Sequence, residues 1–533
     1  MMPSAQNWVR NFTVTDDDIE MLTGLLLERE TPLRIDDLAR ALIDQRLQDE
    51  AAAFQERYRD VQTYNPSQTY AVDDRVVFPA LNYATARVVA VREGHNPEYG
   101  VFSVISVVFD DTPEAEAGDA DLTREFAAGL TYPHKLSQES DNGANGALSG
   151  TAQDPAALLK ANRKQIIPPL EAALESASDL VRAARLWFPR DLLLEVNEGH
   201  LNLAEAVLDL AEGGPLTAEQ IVQDIGGLGS GSDELQAFSM NLALNDDPRF
   251  DEVGPVDQVI WFLQRLEPPT VLTTPPILKY NPVNYDPDLL SLEMIDLEYD
   301  INDEWSPIDA EDEEVNEAMR ITLTYPHRRA GTLPLNAELR QLFPTARRTP
   351  RVWVTLIDGQ DGEAFNGWVV RQDRYVYGLE NFYRKHLMPV GAYITVEPPT
   401  DEGNVVIKYD SYRPRTEWVR LITISNDQLV FEDQKRSIGA EYDDLMIVGI
   451  DDLAALDQFS AGLPPQRATL GALLKMILSE LSRKSPQGTV HAKTLYSVVN
   501  VLRRYPPGPV FATLEAMPDF EHVGNHYWKL GAE

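Results

Sequence analysis

Two stretches of this chain reverse its overall charge, and the chemistry it can offer is that of their arginines and lysines. Residues 321–351 carry six Arg against Glu338, and residues 467–504 carry seven Lys or Arg against Glu480. Elsewhere acid prevails: 46 Lys and Arg against 85 Asp and Glu give −39, and residues 1–320 alone sum to −38. Phosphates are repelled by such an average, so any contact with nucleic acid must come from these two stretches. Two ordinary solvated patches are the equally open reading.

Other site chemistries are thin. Zero cysteines exclude disulfides, thiolate zinc sites and cysteine nucleophiles. There is no G-x-x-x-x-G-K-[ST] loop, no H-E-x-x-H helix and no G-x-S-x-G elbow. The glycine cluster GGLGSGS at 226–232 follows no strand and precedes no Lys, so it reads as an interhelical loop. His522 and His526 have the spacing of a metal pair on a helix, but Gly524 and Asn525 between them suit a hairpin. Glu432-Asp433-Gln434-Lys435 fits the end of a nuclease site without the upstream acid that would hold Mg²⁺. No enzyme, metal or cofactor is expected.

The elements that must position the cations divide a chain of 533 residues into several domains. Thr15 reads as the N-cap of a helix with Asp16 to Asp18 in its first turn, and a second helix follows the break at Thr31-Pro32. From Tyr64, the runs QTYAVDDRVVFPAL, ATARVVAVREG and FSVISVVFDD predict a small curled β-barrel, with Tyr70, Phe78 and Tyr83 in its core or lining a notch. Residues 111–157 read as linkers around a short helix, and helical sequence resumes at Pro155. Residues 284–318 interleave acid with Leu, Ile and Trp, the pattern of a segment that docks on basic partners, or of a linker.

Residues 199–268 resemble the HARE-HTH family of winged helices, found in the delta subunit of bacterial RNA polymerase. The resemblance rests on an amphipathic helix from Leu201 to Leu210, Gly214-Pro215-Leu216, helices near Ile221 to Ile225 and Phe238 to Leu244, Asp247-Pro248-Arg249-Phe250, and a wing ending Trp261-Phe262-Leu263. The third of these helices has no Lys or Arg, which favours protein over DNA contact. An internal repeat extends the pattern. LLLERETPLRIDDLARALI near the N-terminus shares helix, Pro-Leu turn and helix with LDLAEGGPLTAEQIVQDI, and residues 468–530 offer a third copy. There the third helix is expected at Lys493 to Arg504, with Lys493, Arg503 and Arg504 meeting phosphates, and the wing at Phe511 to Leu530.

From Arg320 the order of strands and helices resembles the plant-type DNA-binding pseudobarrel, also used by some restriction enzymes. Gly331-Thr332-Leu333-Pro334-Leu335, Phe343-Pro344, Val354-Thr355-Leu356-Ile357-Asp358 and Gly378-Leu379-Glu380-Asn381-Phe382 carry it, while Gly391-Ala392 departs from the family's Gly-Asp. The resemblance implies two arms entering the major groove, Tyr325 to Ala330 with Arg328 and Arg329, and Arg371 to Tyr375 with Arg371 and Arg374. Arginine's planar fork suits guanine edges and phosphates. Pairing of these arginines with surface carboxylates is the alternative.

The expected fold is thus multidomain α+β with repeated winged-helix modules, a small N-terminal β-barrel and a β-rich pseudobarrel. Its divisions are 1–60 helix-turn-helix-like, 61–112 barrel, 113–198 linker and helices, 199–269 HARE-HTH-like, 270–318 acidic linker, 319–460 pseudobarrel-like and 461–533 winged helix. The expected protein is cytoplasmic, bacterial and non-enzymatic. Double-stranded DNA would be held by its C-terminal half, and RNA polymerase or another basic protein by its acidic half, with no membrane contact. A scaffold without nucleic-acid binding, and the recognition subunit of a restriction or phage-defence system, are the alternatives.

Overall fold

The structure is a computed structural model that describes Trp8 and residues 12–59, 61–81, 83–96, 100–110, 123–131, 154–183, 185–256, 258–307, 317–346, 349–400 and 403–531. The fold is mixed α/β with several separate sheets. Two compact units are present, one of residues 1–195 with 228–242, the other of 196–227 with 243–533. Among the described residues no helix is long and apolar enough to cross a membrane.

In the first unit, helix Asp16–Arg29 begins as its sequence dictates: Thr15 Oγ1 accepts the Asp18 N–H, and the Asp18 carboxylate accepts the Thr15 N–H. The next elements are strand Leu33–Arg34 and helix Ile35–Arg57. The third helix of this core comes much later, at Pro155–Ser176, followed by the hairpin Leu180–Ala183 and Leu186–Pro189. Leu22, Leu26, Leu38, Leu42, Ile166, Leu170 and Trp187 share one buried cluster, so these distant pieces form a single module. The expected boundary at residue 60 is therefore an insertion point. Helical sequence from Pro155 stops at Ser176, because Leu180–Ala183 and Leu186–Pro189 pair as strands.

The insertion is a five-stranded sheet, Gln62–Thr63, Arg75–Phe78, Ala84–Glu93, Ser103–Phe109 and Arg124–Ala128, in sequence order. Its ends meet: Gly129 N–H donates to Gln68 O at 2.8 Å and Leu130 N–H to Pro66 O at 2.9 Å, which closes the curl. Tyr70 and Phe78 are buried in its core with Tyr64 packed beside them, so the aromatics at 70 and 78 line no notch. The last strand occupies sequence expected as linker. The acidic and Gly/Ser-rich stretches at 111–122 and 132–153 lie outside the described residues.

The order helix, short strand, helix, helix, hairpin recurs twice more. Second come Glu198–Leu210, the bridge residue Leu216, Ala218–Ile225, Asp233–Asp246, and strands Phe250–Glu252 and Trp261–Leu263. Third come Leu470–Ser482, Val490–His491, Ala492–Leu502, Pro507–Ala516, and strands Phe520–Gly524 and Tyr527–Leu530. Each time the short strand pairs antiparallel with the last hairpin strand opposite a tryptophan: Leu33 with Trp187, Leu216 with Trp261, Val490 with Trp528. All three tryptophans are buried. The Asp-Pro-Arg-Phe motif also acquires a cause. Arg249 binds Asp247 at 2.7 Å and both Asn202 and Glu205 at 2.8 Å, tying the start of the hairpin to the first helix. The third copy corrects an expectation, since Ala492–Leu502 is its second helix. Its third, Pro507–Ala516, has no Lys or Arg and includes Phe511, expected in the wing.

Between the second and third copies lies a seven-stranded curled sheet. Its order is Met319–Thr322, Tyr393–Val396, Val405–Tyr409, Arg351–Asp358, Ala364–Val370, Tyr375–Tyr377, Thr332–Pro334. Arg351–Asp358 runs parallel to Val405–Tyr409, and the remaining neighbours are antiparallel. Burial alternates residue by residue along Arg351–Asp358, as its period-two pattern requires. Gly378 is needed where the chain leaves the sheet: its φ is +119°, and a Cβ there would lie 2.3 Å from Asn366 O. Part of the acidic stretch before the sheet, expected as a linker, is built into a core. Helix Leu292–Ile301 buries Met294, Leu297 and Ile301 in the cluster that holds Leu474, Val499 and Trp528 of the third copy.

Candidate anion-facing surfaces

An arginine serves an external phosphate only if its guanidinium reaches solvent and its donors are free, so each candidate is judged by both. The first expected arm, Tyr325 to Ala330, is a short helix with Tyr325, Pro326 and His327 buried. Pro326 at its start and Gly331 in the left-handed region at its end suit a helical turn there in place of a projecting loop. Arg328 Nε donates to Met388 O at 2.8 Å, and its guanidinium lies 5.7 Å over the Tyr383 ring. Burial pulls its ordinary value down. Arg329 pairs with Asp457 at 2.6 Å.

The second arm turns between two sheet strands, with Arg374 at φ +59°. Arg371 reaches back to the helix Leu339–Leu342 and the residues after it, donating to Arg340 O at 2.9 Å, Phe343 O at 2.7 Å and Pro344 O at 3.2 Å. It thereby satisfies carbonyls that a helix end leaves without partners. Arg374 donates to Glu304 O at 2.7 Å and covers the Trp305 ring at 4.4 Å.

In the third copy, Lys493 bridges Asp300 and Asp443, the latter at 2.8 Å. Arg503 is exposed, with one donor on Ala468 O at 2.9 Å. Arg504 is fully buried. Its Nη2 meets both Asp303 oxygens and Glu304 Oε1 at 2.6 Å, and its Nη1 meets Tyr505 O at 2.7 Å and Asn500 Oδ1 at 3.1 Å. Tyr496 donates to Asp303 at 2.5 Å, and His327 Nε2 lies 3.2 Å from Glu304. Burial works to raise Glu304, but Arg504 and His327 outweigh it and hold its carboxyl well below the usual range. Burial pushes Asp303 up, against Arg504. The expected three-cation phosphate face thus reduces to Arg503, because Lys493 and Arg504 are neutralised from within.

One segment holds three of these cations. Lys493, Arg374 and Arg504 all converge on residues 300–305, where the acidic stretch enters the interior. The acidic stretch, read from sequence as docking on basic partners or as a linker, here engages basic groups of its own chain.

Two constellations escaped sequence reasoning. At one end of the seven-stranded sheet, Asp358 lies 2.6 Å from His386 Nε2 and accepts from Lys385 at 2.8 Å, and His386 Nδ1 is 2.8 Å from the Tyr409 hydroxyl. Burial and the nearby Asp358 push Tyr409 up, so the phenol stays protonated and orients the imidazole; it is not poised as a nucleophile. The other is a cavity beside the third copy, where the guanidinium of Arg420 and the ammonium of Lys484 have no hydrogen-bond or ion-pair partner among the described residues. No motif marks either, because each joins residues far apart in sequence. Among the described residues no group of three or more His, Asp or Glu is placed to hold a metal ion. Comparison of the chain with known family models, with curated proteins and with solved structures finds no match in any of the three.

Proposed function

We propose that the protein is a non-enzymatic interaction scaffold, built of winged-helix modules, a small inserted barrel and a pseudobarrel, whose acidic surfaces hold basic protein partners. The observation that carries this reading is that all seven candidate DNA-binding cations bond carboxylates or carbonyls of the protein itself, and six of them, all but Arg503, are also at least half-buried. A net charge of −39 then remains to repel a duplex and attract a basic partner, with RNA polymerase among the candidates. The test is titration of a labelled duplex with the full chain at low salt, followed by fluorescence anisotropy. No saturable binding is expected; tight binding that weakens steeply with salt would overturn the reading.

DNA association is the second reading, favoured by Arg503, which is exposed and bonded to the residue beside exposed Arg467. If these two meet phosphates, Arg467→Ala with Arg503→Ala flattens the slope of log K against log salt by roughly two units, at about 0.9 per phosphate. An unchanged slope would remove this reading.

A further inference from the structure

The cavity beside the third copy holds about 280 Å³ and is partly open to solvent. It lies between the long hairpin Ser411–Ser425 with Gln428–Ala440 and the segment from Leu481 to Thr494. Arg420 enters it from the hairpin, and Lys484, Ser485 and Thr489 from the turn after helix Leu470–Ser482. Neither cation has a hydrogen-bond or ion-pair partner among the described residues, unlike the paired arginines above. Burial pulls Arg420 below its ordinary value, with the Asp433 carboxylate across the ladder opposing. A guanidinium in that state gains from an incoming anion.

The rest of the lining suits an anion that carries a ring. His491 Nδ1 accepts the Lys493 N–H at 3.1 Å, which leaves the hydrogen of the neutral imidazole on Nε2 as a donor. Burial, with His526 and Lys493 nearby, pushes this histidine down to about 4, so it is neutral at pH 7. Tyr527 stands 5.0 Å from the imidazole, centroid to centroid and edge to face, and adds an aromatic wall. The volume falls just below the about 300–1,000 Å³ of sites for drug-sized ligands, which sets the ligand as small.

We propose that this cavity is a binding site for a small aromatic phosphate monoester. Arg420 grips the phosphoryl oxygens with its planar fork, Lys484 supplies a second charge from the rim, and the ring packs against Tyr527. A dianion meets the two free cations better than a carboxylate does, and Asp433 tempers their pull.

Calorimetric titration of the full chain with phenyl phosphate, at ionic strength held constant with chloride, tests this. Saturable binding at one site per chain is expected, weakened ~10-fold or more by Arg420→Gln, since a charge-assisted hydrogen bond is lost. Lys484→Gln, at an exposed position that does not threaten folding, should weaken it several-fold, and Asp433→Asn should tighten it. Absence of binding, equal binding of benzoate, or affinity unchanged in both the Arg420 and Lys484 variants would overturn the proposal. Displacement of phenyl phosphate by a short duplex would reassign the site to nucleic-acid backbone.

Discussion

Arg504 is fully buried and Arg420 half-buried, yet one has two carboxylates and two further acceptors while the other has none within bonding distance. The contrast separates a charge that holds a fold together from a charge left available. Arg504 joins the acidic stretch, the helix Ala492–Leu502 and, through Glu304, His327 in the short helix between the strands Met319–Thr322 and Thr332–Pro334 of the seven-stranded sheet. Arg420 only lines a cavity. Counting basic residues along the chain gives the two equal weight; counting their satisfied donors does not.

The largest effect that would break this contrast is at Arg504. Arg504→Ala leaves Asp303 and Glu304 buried without their cation, and a loss of about 3–5 kcal/mol is expected in urea denaturation. A loss under about 1 kcal/mol would mean that the cluster holds nothing together. A smaller effect comes from Glu298, which faces the same cluster and is pushed up to about 6 by burial and then by Asp303. Folding raises this carboxyl above its ordinary value of 4.5, so its contribution is fully present below pH 4.5 and is lost as pH rises through 6. The loss is roughly 2 kcal/mol at most. Glu298→Gln should flatten stability against pH in that window, and an identical slope in wild type and variant would count against the assignment. The smallest effect is at Arg420. Arg420→Leu should change stability by less than about 0.5 kcal/mol or raise it, because no bonded partner is abandoned. Strong destabilisation there would give Arg420 a structural duty and erase the distinction.

Local signals in the sequence carried through to the structure where the physics is local. The Thr15 cap, the β-rich runs from Tyr64 and the alternation of Arg351–Asp358 all depend on neighbours a few residues away. The first module's true extent was hidden because Leu33 finds Trp187 across an entire inserted sheet. The charge reversals located arginines but not their partners. Arg371 is satisfied by backbone carbonyls, which leave no trace in composition, and adjacent Arg503 and Arg504 face solvent and interior respectively. The pair reads as one basic tip until the position of Asp303 is known. The Arg420 cavity was illegible for the same reason, since availability of a cation is a property of what surrounds it.

The insertion within the first module also sets an order of assembly on the ribosome. Helices Asp16–Arg29 and Ile35–Arg57 emerge early, but Pro155–Ser176 and the Trp187 hairpin, which cover their apolar side, are made only after the whole barrel. The inserted sheet's strands pair in sequence order and only with one another, so this later-made part is complete first. Until then Leu22, Leu26, Leu38 and Leu42 lack the cover that Ile166, Leu170 and Trp187 give them in the fold. The third copy is uninterrupted, and its helices and hairpin follow one another within a short span of synthesis. Slowing of translation between residues 57 and 155 therefore prolongs the exposure of the first module and leaves the third untouched.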